Sequence, residues 1–231
     1  MDQEGFFDSL VRNGLDFLRK AIDELEENPK YSVIHFFAAV EIFLKSRLLL
    51  EHWALVHVEP QHANIQRFSQ GKFRSVGLDE AINRLVNTLN TPLSSETIKN
   101  LKRLQDHRNK LIHFFHPEYG PHADPSVIAT VVAEECRAWI DLQRMLTQLW
   151  SEEYAEYQQD IETLNDHMRR LRPFLRVTYD SLRADIEKGK ERGVRFVECI
   201  SCGFEASKEV EIIGPVYETK CLVDCQACFD K

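Results

Sequence analysis

Glycine and proline are scarce in this chain of 231 residues, 9 and 8 in number. That scarcity excludes collagen-like and low-complexity classes, and a hydrophobic content of 43% argues against wholesale disorder. Positive charge is also short: 29 Lys and Arg against 37 Asp and Glu leave a formal net charge of −8. A uniformly basic coat for nucleic acid is therefore excluded, whereas a local basic groove is not. No long apolar run is present. The most apolar stretch, residues 31–58, is interrupted by His35, Glu41, Lys45, Arg47 and Glu51, so no span of about 18 apolar residues offers a transmembrane helix. The opening Met1-Asp2-Gln3-Glu4 is acidic and does not read as a signal peptide. Cysteine is nearly absent until residue 199, and five of the six crowd into the last 33 residues. Such crowding points to a metal site in a reducing cytoplasm rather than to a spread disulfide framework.

What is present is mainly helical periodicity. Phe6, Phe7, Leu10, Val11, Leu15, Leu18, Ile22 and Leu25 recur at steps of three and four, which predicts an amphipathic helix. Asn28-Pro29 is a start signal, a capping side chain followed by proline at the first helical position. The helix it opens runs to about His57, and its wide apolar face places it at the centre of a bundle. A polar connection over residues 60–77 leads to a short helix over 78–89. Ser94 and Ser95 can cap a third long helix that must end near His116, since Pro117 disfavours helix before it. Asp124-Pro125 repeats the start signal. Trp150, Tyr154, Tyr157, Ile161, Leu164, Met168 and Leu171 then alternate by four and three, a heptad seam. Pro173 should kink the rod, and Leu175, Tyr179, Leu182 and Ile186 continue its apolar face. The expected organisation is a mainly α chain: a helical bundle over 1–150, a helical arm over 151–192, and a small β segment over 193–231. The arm either coils with a second copy, folds back on the bundle, or is one more bundle helix.

The β segment carries Cys199-x-x-Cys202-Gly203 and Cys225-x-x-Cys228, with 22 residues between the pairs. A tight knuckle turns both sulfurs of a pair inward, and two knuckles close a tetrahedral four-cysteine site for Zn2+. The segment looks like a zinc ribbon. Four thiolates leave no open coordination position, so the metal is expected to be structural, supplying folding free energy to a segment too short to build a core. Cys221 is a spare thiol, and Cys136 reads as a buried core residue.

A second constellation lies in the run Asp106-His107-Arg108-Asn109-Lys110-Leu111-Ile112-His113-Phe114-Phe115-His116. Arg108 and Asn109, with His113 five positions after the arginine, resemble the Arg-His motif of HEPN ribonucleases, including the polar residue that follows the arginine. The earlier helix, Ala38-Ala39-Val40-Glu41-Ile42-Phe43-Leu44-Lys45, is similar to the same family, and the likeness covers roughly residues 5–150. Arg47 and His52 share the spacing but lack the polar follower and sit in the central helix.

The resemblance implies a HEPN-type bundle, a homodimer with a composite site, and a metal-independent endoribonuclease of the toxin or antiphage-defence kind. RNA would be the substrate and an antitoxin or defence protein a partner. Arg108, Asn109 and His113 would be the catalytic set, with Glu41, Lys45 and His116 as supporting candidates. The chemistry needs these types of residue. The ribose 2′-hydroxyl is a built-in nucleophile, imidazole moves protons near neutrality, and a guanidinium clamps phosphoryl oxygens. In a helix Arg108 and His113 stand about 7.5 Å apart along the axis and about 140° apart in rotation, so either the long arginine swings toward the histidine or the helix begins or bends there. Asn109 and His113, four apart, share a face.

The residues leave plainer alternatives open. His113 among Leu111, Ile112, Phe114 and Phe115 also describes a core histidine, and Glu41 with Lys45 an ordinary helix ion pair. His107 reads as a surface residue. The basic run Arg169-Arg170-Leu171-Arg172-Pro173-Phe174-Leu175-Arg176 offers phosphate binding or a solvated face. A catalytically silent RNA- or protein-binding adaptor is the rival to the enzyme. One subgroup of the family carries Tyr two residues after the motif histidine as an AMP acceptor; here that residue is Phe115.

Overall fold

The computed structural model describes residues 3–113, 125–213 and 216–222. Its helices are α1 (Gln3–Glu24), α2 (Pro29–Glu51), α3 (Ile65–Ser69), α4 (Leu78–Asn87), α5 (Ser95–His113), α6 (Pro125–Arg144), α7 (Gln158–Met168) and α8 (Arg172–Glu191). The strands are β1 (Phe196–Glu198), β2 (Glu205–Ile213) and β3 (Val216–Cys221), paired antiparallel in the order β1-β2-β3. The mainly helical class is thus as expected. Among the described residues no helix is long and apolar enough to cross a membrane. The chain divides into two compact units, residues 1–161 and 162–231.

The first unit is a bundle built around α2. This helix buries residues on every side, including Val33, Phe36, Phe37, Val40, Phe43, Leu44, Leu48 and Leu49. A helix that is apolar all round has to be wrapped by others. The helix α1 runs antiparallel beside it: the Gln3 side-chain amide donates to the Leu49 and Leu50 carbonyls at 3.0 and 2.8 Å. Gly14 permits the close approach, because a Cβ there would stand 3.0 Å from the Phe43 ring. Pro29 opens α2 as expected, but the Asn28 side chain makes no capping bond.

The end of α2 departs from the expectation that it reaches His57. It stops at Glu51, where His52 turns extended and its Nδ1 accepts the Ala54 N–H at 3.1 Å, capping a 3-10 turn over Trp53–Val56. Buried Arg84 of α4 holds the segment beyond. Its guanidinium donates to the carbonyls of Leu55, His57 and Val58 at 2.6, 2.7 and 3.0 Å. Ser94 caps α5 as read, accepting the Thr97 N–H at 3.0 Å.

The expected arm is divided. After α6 a single π turn, Met145–Leu149, and a 3-10 turn, Ala155–Tyr157, interrupt the helix. The aromatic part of the seam folds back on the bundle. Tyr154 is fully buried and its hydroxyl donates to the Phe43 carbonyl at 3.0 Å, while Tyr157 donates to Asp8 at 2.9 Å. Buried hydroxyls must find partners, and these are on α1 and α2. Pro173 does not kink a continuous rod. It stands in the first turn of α8, after a break at Arg169–Leu171, the position where a helix accepts proline at least cost.

The second unit joins α8 to the strands rather than leaving it in a separate arm. Leu175 and Ile186 of α8 share one apolar cluster with Cys199, Cys202, Phe204 and Ala206, flanked by Tyr179, Leu182 and Phe196. Gly189 makes room for this packing, since a Cβ there would meet the Phe196 ring at 2.8 Å.

Candidate functional site

The C-terminal half of α5 presents the Arg-His set. His113 is exposed at the last turn of α5, and Ile112 beside it is 47% exposed. The core-histidine alternative is therefore not what the structure adopts. Arg108 is half-buried. Its guanidinium lies 4.9 Å from the centre of the Phe37 ring and its Nη1 donates to Asn109 Oδ1 at 2.9 Å. The arginine head thus leans along the helix surface toward Asn109, the residue four positions before His113. Among the described residues Arg108 has no carboxylate partner. Several other arginines do: Arg12, Arg19, Arg47, Arg84, Arg169 and Arg176 each bond an acid within 3.1 Å.

The supporting candidates divide. Phe37, Glu41 and Lys45 follow one another at four-residue steps along α2, so the ring under Arg108 starts the stripe that carries the other two. Lys45 Nζ stands 3.5 Å from Glu41 Oε2. The Glu41 carboxylate also faces the start of α4, 3.7 Å from where a Gly77 Cβ would be. No bond joins either residue to Arg108. His116 lies outside the described residues. His107, read as a surface residue, is instead buried, with Nε2 2.6 Å from Glu134 Oε2 on α6. The reason is geometric: the residue before Arg108 is turned about 100° away and faces α6. Arg47 and His52 are structural, the first tying α2 to Glu153 at 3.1 Å and the second capping the 3-10 turn.

In the second unit the first cysteine pair has knuckle geometry. β1 enters and β2 leaves, with Glu198 paired to Glu205, so residues 199–204 form the hairpin loop. Cys199 N–H donates to the Phe204 carbonyl at 2.9 Å, and Gly203 N–H donates to the Cys199 carbonyl at 2.8 Å. Gly203 takes φ +70°, which suits glycine. Both Cys199 and Cys202 are buried, and no disulfide joins them among the described residues. Cys225 and Cys228 lie outside the described residues. Of Cys221 only the backbone is described, paired with Ser207. The next residue, Leu222, donates to the Ala206 carbonyl at 3.0 Å, so β3 ends beside the first residues of β2, where the chain leaves the knuckle. Among the described residues no three His, Cys, Asp or Glu group closely enough to hold a metal.

The basic run is occupied within the unit. Arg169 pairs with Glu162 and Asp166 at 2.8 and 3.0 Å, and Arg176 with Asp180 at 3.1 Å. Arg172 donates to the Cys202 carbonyl and lies 4.3 Å over the Phe204 ring.

Two features were not foreseen from the sequence. Phe37 is one; its signal was its place one turn before Glu41. The other is Glu135, 2% exposed in the first unit's core. Burial pushes its carboxyl up to about 8, with the Ser32 bond opposing and the Glu24 charge adding. Ser32 Oγ lies 2.8 Å from the Ala21 carbonyl and 2.6 Å from Glu135 Oε1. A hydroxyl has one proton. The Ala21 carbonyl can only accept, and the Leu25 N–H has turned to Ile22 instead at 3.2 Å. Ser32 is placed to donate to either acceptor, the Ala21 carbonyl or Glu135 Oε1. Among the described residues the other carboxyl oxygen has no partner. Cys136 beside it is buried as expected, and burial first, then the Glu135 charge, raises its thiol well above the ordinary range, an unreactive setting.

Comparison with models of protein families, with curated proteins and with solved structures finds no match to this chain.

Proposed function

We propose that the protein is a metal-independent endoribonuclease of the HEPN type, acting as a homodimer with a composite site. The observation that carries this reading is the half-buried Arg108 guanidinium. It has no acid partner among the described residues, on the helix end that exposes His113. Cations taken out of water are normally paired, and a phosphate diester is an anion of fitting geometry. In the reaction, His113 of one copy takes the proton of a ribose 2′-hydroxyl. The 2′-oxygen bonds to phosphorus, the bond from phosphorus to the 5′-oxygen breaks, and His113 of the second copy protonates that oxygen. Arg108 contacts the phosphoryl oxygens as their charge grows, and Asn109 orients the arginine head. The biological setting is a toxin or antiphage-defence effector restrained by a partner protein.

The second unit is, in this reading, a four-cysteine zinc ribbon. Knuckle geometry at Cys199–Phe204 supports it, and so does the return of β3 to the knuckle's end of the sheet. Cys225 follows Leu222 by three positions, a reach of at most about 11 Å. Cys199, Cys202, Cys225 and Cys228 would hold the metal, which when bound supplies folding free energy and no open coordination position.

The rival is the adaptor, for which Ile200 at the knuckle tip, 82% exposed, is a candidate contact. The two readings part in one experiment. Arg108→Ala and His113→Ala are compared with the parent for growth arrest and for RNA cleavage in EDTA. The nuclease reading expects both variants to lose both effects. Variants as toxic and as active as the parent, or a parent that binds RNA without cutting, would leave the adaptor.

A further inference from the structure

The geometry points to Arg172 as a positioning residue for the metal centre, and we infer that its guanidinium holds the first knuckle in ligating shape. The inference rests on the four-cysteine reading above and concerns a residue outside the ligand set. Arg172 touches three consecutive knuckle residues. It donates to the Cys202 carbonyl, its Nη1 is 3.8 Å from where a Gly203 Cβ would stand, and its guanidinium lies 4.3 Å over the Phe204 ring. Phe204 is in turn fixed on both sides. Its carbonyl accepts the Cys199 N–H at 2.9 Å, and its ring stacks on Tyr179 at 4.8 Å and 13°. One guanidinium thus reaches the second cysteine directly and the first through Phe204.

Charge gives the contact a purpose. Four thiolates on a divalent ion leave two negative charges, and Glu198 adds another beside the loop, 3.6 Å from the Gly203 Cβ position. A cation in the first turn of α8 sits at the wrong end of that helix's dipole. Against a neutral loop the placement is unfavourable, whereas against a thiolate pair it is compensated. The planar fork also suits the arrangement, since it can bond a carbonyl in its plane while its face covers a ring. In the sequence Arg172 belongs to a basic run that offers phosphate binding or a solvated face. The structure gives it to the knuckle.

The test uses the full chain. Zn2+ affinity is measured by competition with a chelator, and Co2+ is substituted to read the thiolate-to-metal charge-transfer band. Arg172→Met keeps the aliphatic stem and removes the charge. It should weaken Zn2+ binding about 10–100-fold and shift the Co2+ band, the usual effect of losing an outer-shell partner. Arg172→Lys should recover part of the affinity. Arg183→Gln, which removes the cation 6.0 Å from the far ring of the same stack, should leave it unchanged. If Arg172→Met fails to fold at saturating Zn2+, the Lys variant is read alone. A loss of about threefold or more then supports the clamp. Parent-like affinity and spectrum in the variant read overturn it. A parent that gives no Co2+ charge-transfer band sinks the four-cysteine reading itself, a result distinct from equal binding by all variants.

Discussion

Glu135→Gln should flatten the dependence of stability on pH, and by a predictable amount. The carboxyl is 2% exposed, accepts the Ser32 hydroxyl at 2.6 Å, and is raised by burial from 4.5 to about 8. The folded protein holds this proton to higher pH than the unfolded chain does. Between about pH 4.5 and 8 the unfolded state therefore binds fewer protons, and stability falls as pH rises across that window. A shift of this size corresponds to roughly 4–5 kcal/mol, an upper bound if water enters on ionisation. The glutamine amide is neutral at every pH, and its oxygen can accept the Ser32 hydroxyl as the carboxyl does. The variant should match the parent near pH 5 and exceed it by several kcal/mol, about 2–4, above pH 8. Urea unfolding of both proteins at pH 5, 6, 7, 8 and 9, followed by circular dichroism, gives the difference curve directly. Titrations independent of residue 135 cancel in that difference. A stability difference independent of pH from 5 to 9 would refute the buried neutral acid.

Three further outcomes are expected. Tyr154→Phe removes a hydroxyl bonded to Ser46 and to the Phe43 carbonyl at 2.7 and 3.0 Å, and should cost about 1–3 kcal/mol in chemical denaturation. Gly189→Ala places a methyl 2.8 Å from the Phe196 ring, so the ring must move; a loss of about 1–3 kcal/mol is expected, read as a lower unfolding midpoint of residues 162–231 by hydrogen exchange. Removing Zn2+ with a strong chelator should abolish hydrogen-exchange protection in β1, β2 and α8 while α1 and α2 keep theirs, because only the second unit holds the cysteine pairs.

Much of the bundle was legible because burial and periodicity agree. Phe7, Val11, Leu15, Leu18 and Ile22 keep helical spacing and are all buried, and α2 is central because it has no polar face. The misreadings share a cause. Heptad spacing from Trp150 to Met168 records which side chains are buried but not whether the helix between them is continuous. Two turns, one π and one 3-10, preserve the burial while breaking the rod. The end of α2 failed for a related reason: Trp53 and Val56 fit an apolar pattern that a 3-10 turn satisfies equally well. At the candidate site the spacing of Arg108, Asn109 and His113 was readable, whereas the Phe37 ring beneath the arginine belongs to a helix about 70 residues earlier. No local pattern reports such a pair. The buried state of His107 was likewise hidden, since it depends on Glu134 across the α5–α6 contact. The four-cysteine spacing was plain, but the role of Arg172 needed the fold, which alone puts the start of α8 against the knuckle.

The most direct measurement of the central claim is the chemistry of cut RNA ends. Purified protein is incubated with labelled RNA in EDTA beside His113→Ala, and the products are resolved by end-group analysis. The account predicts 2′,3′-cyclic phosphate and 5′-hydroxyl termini from the parent and none from the variant. Termini of another kind, or equal cleavage by His113→Ala, would contradict it.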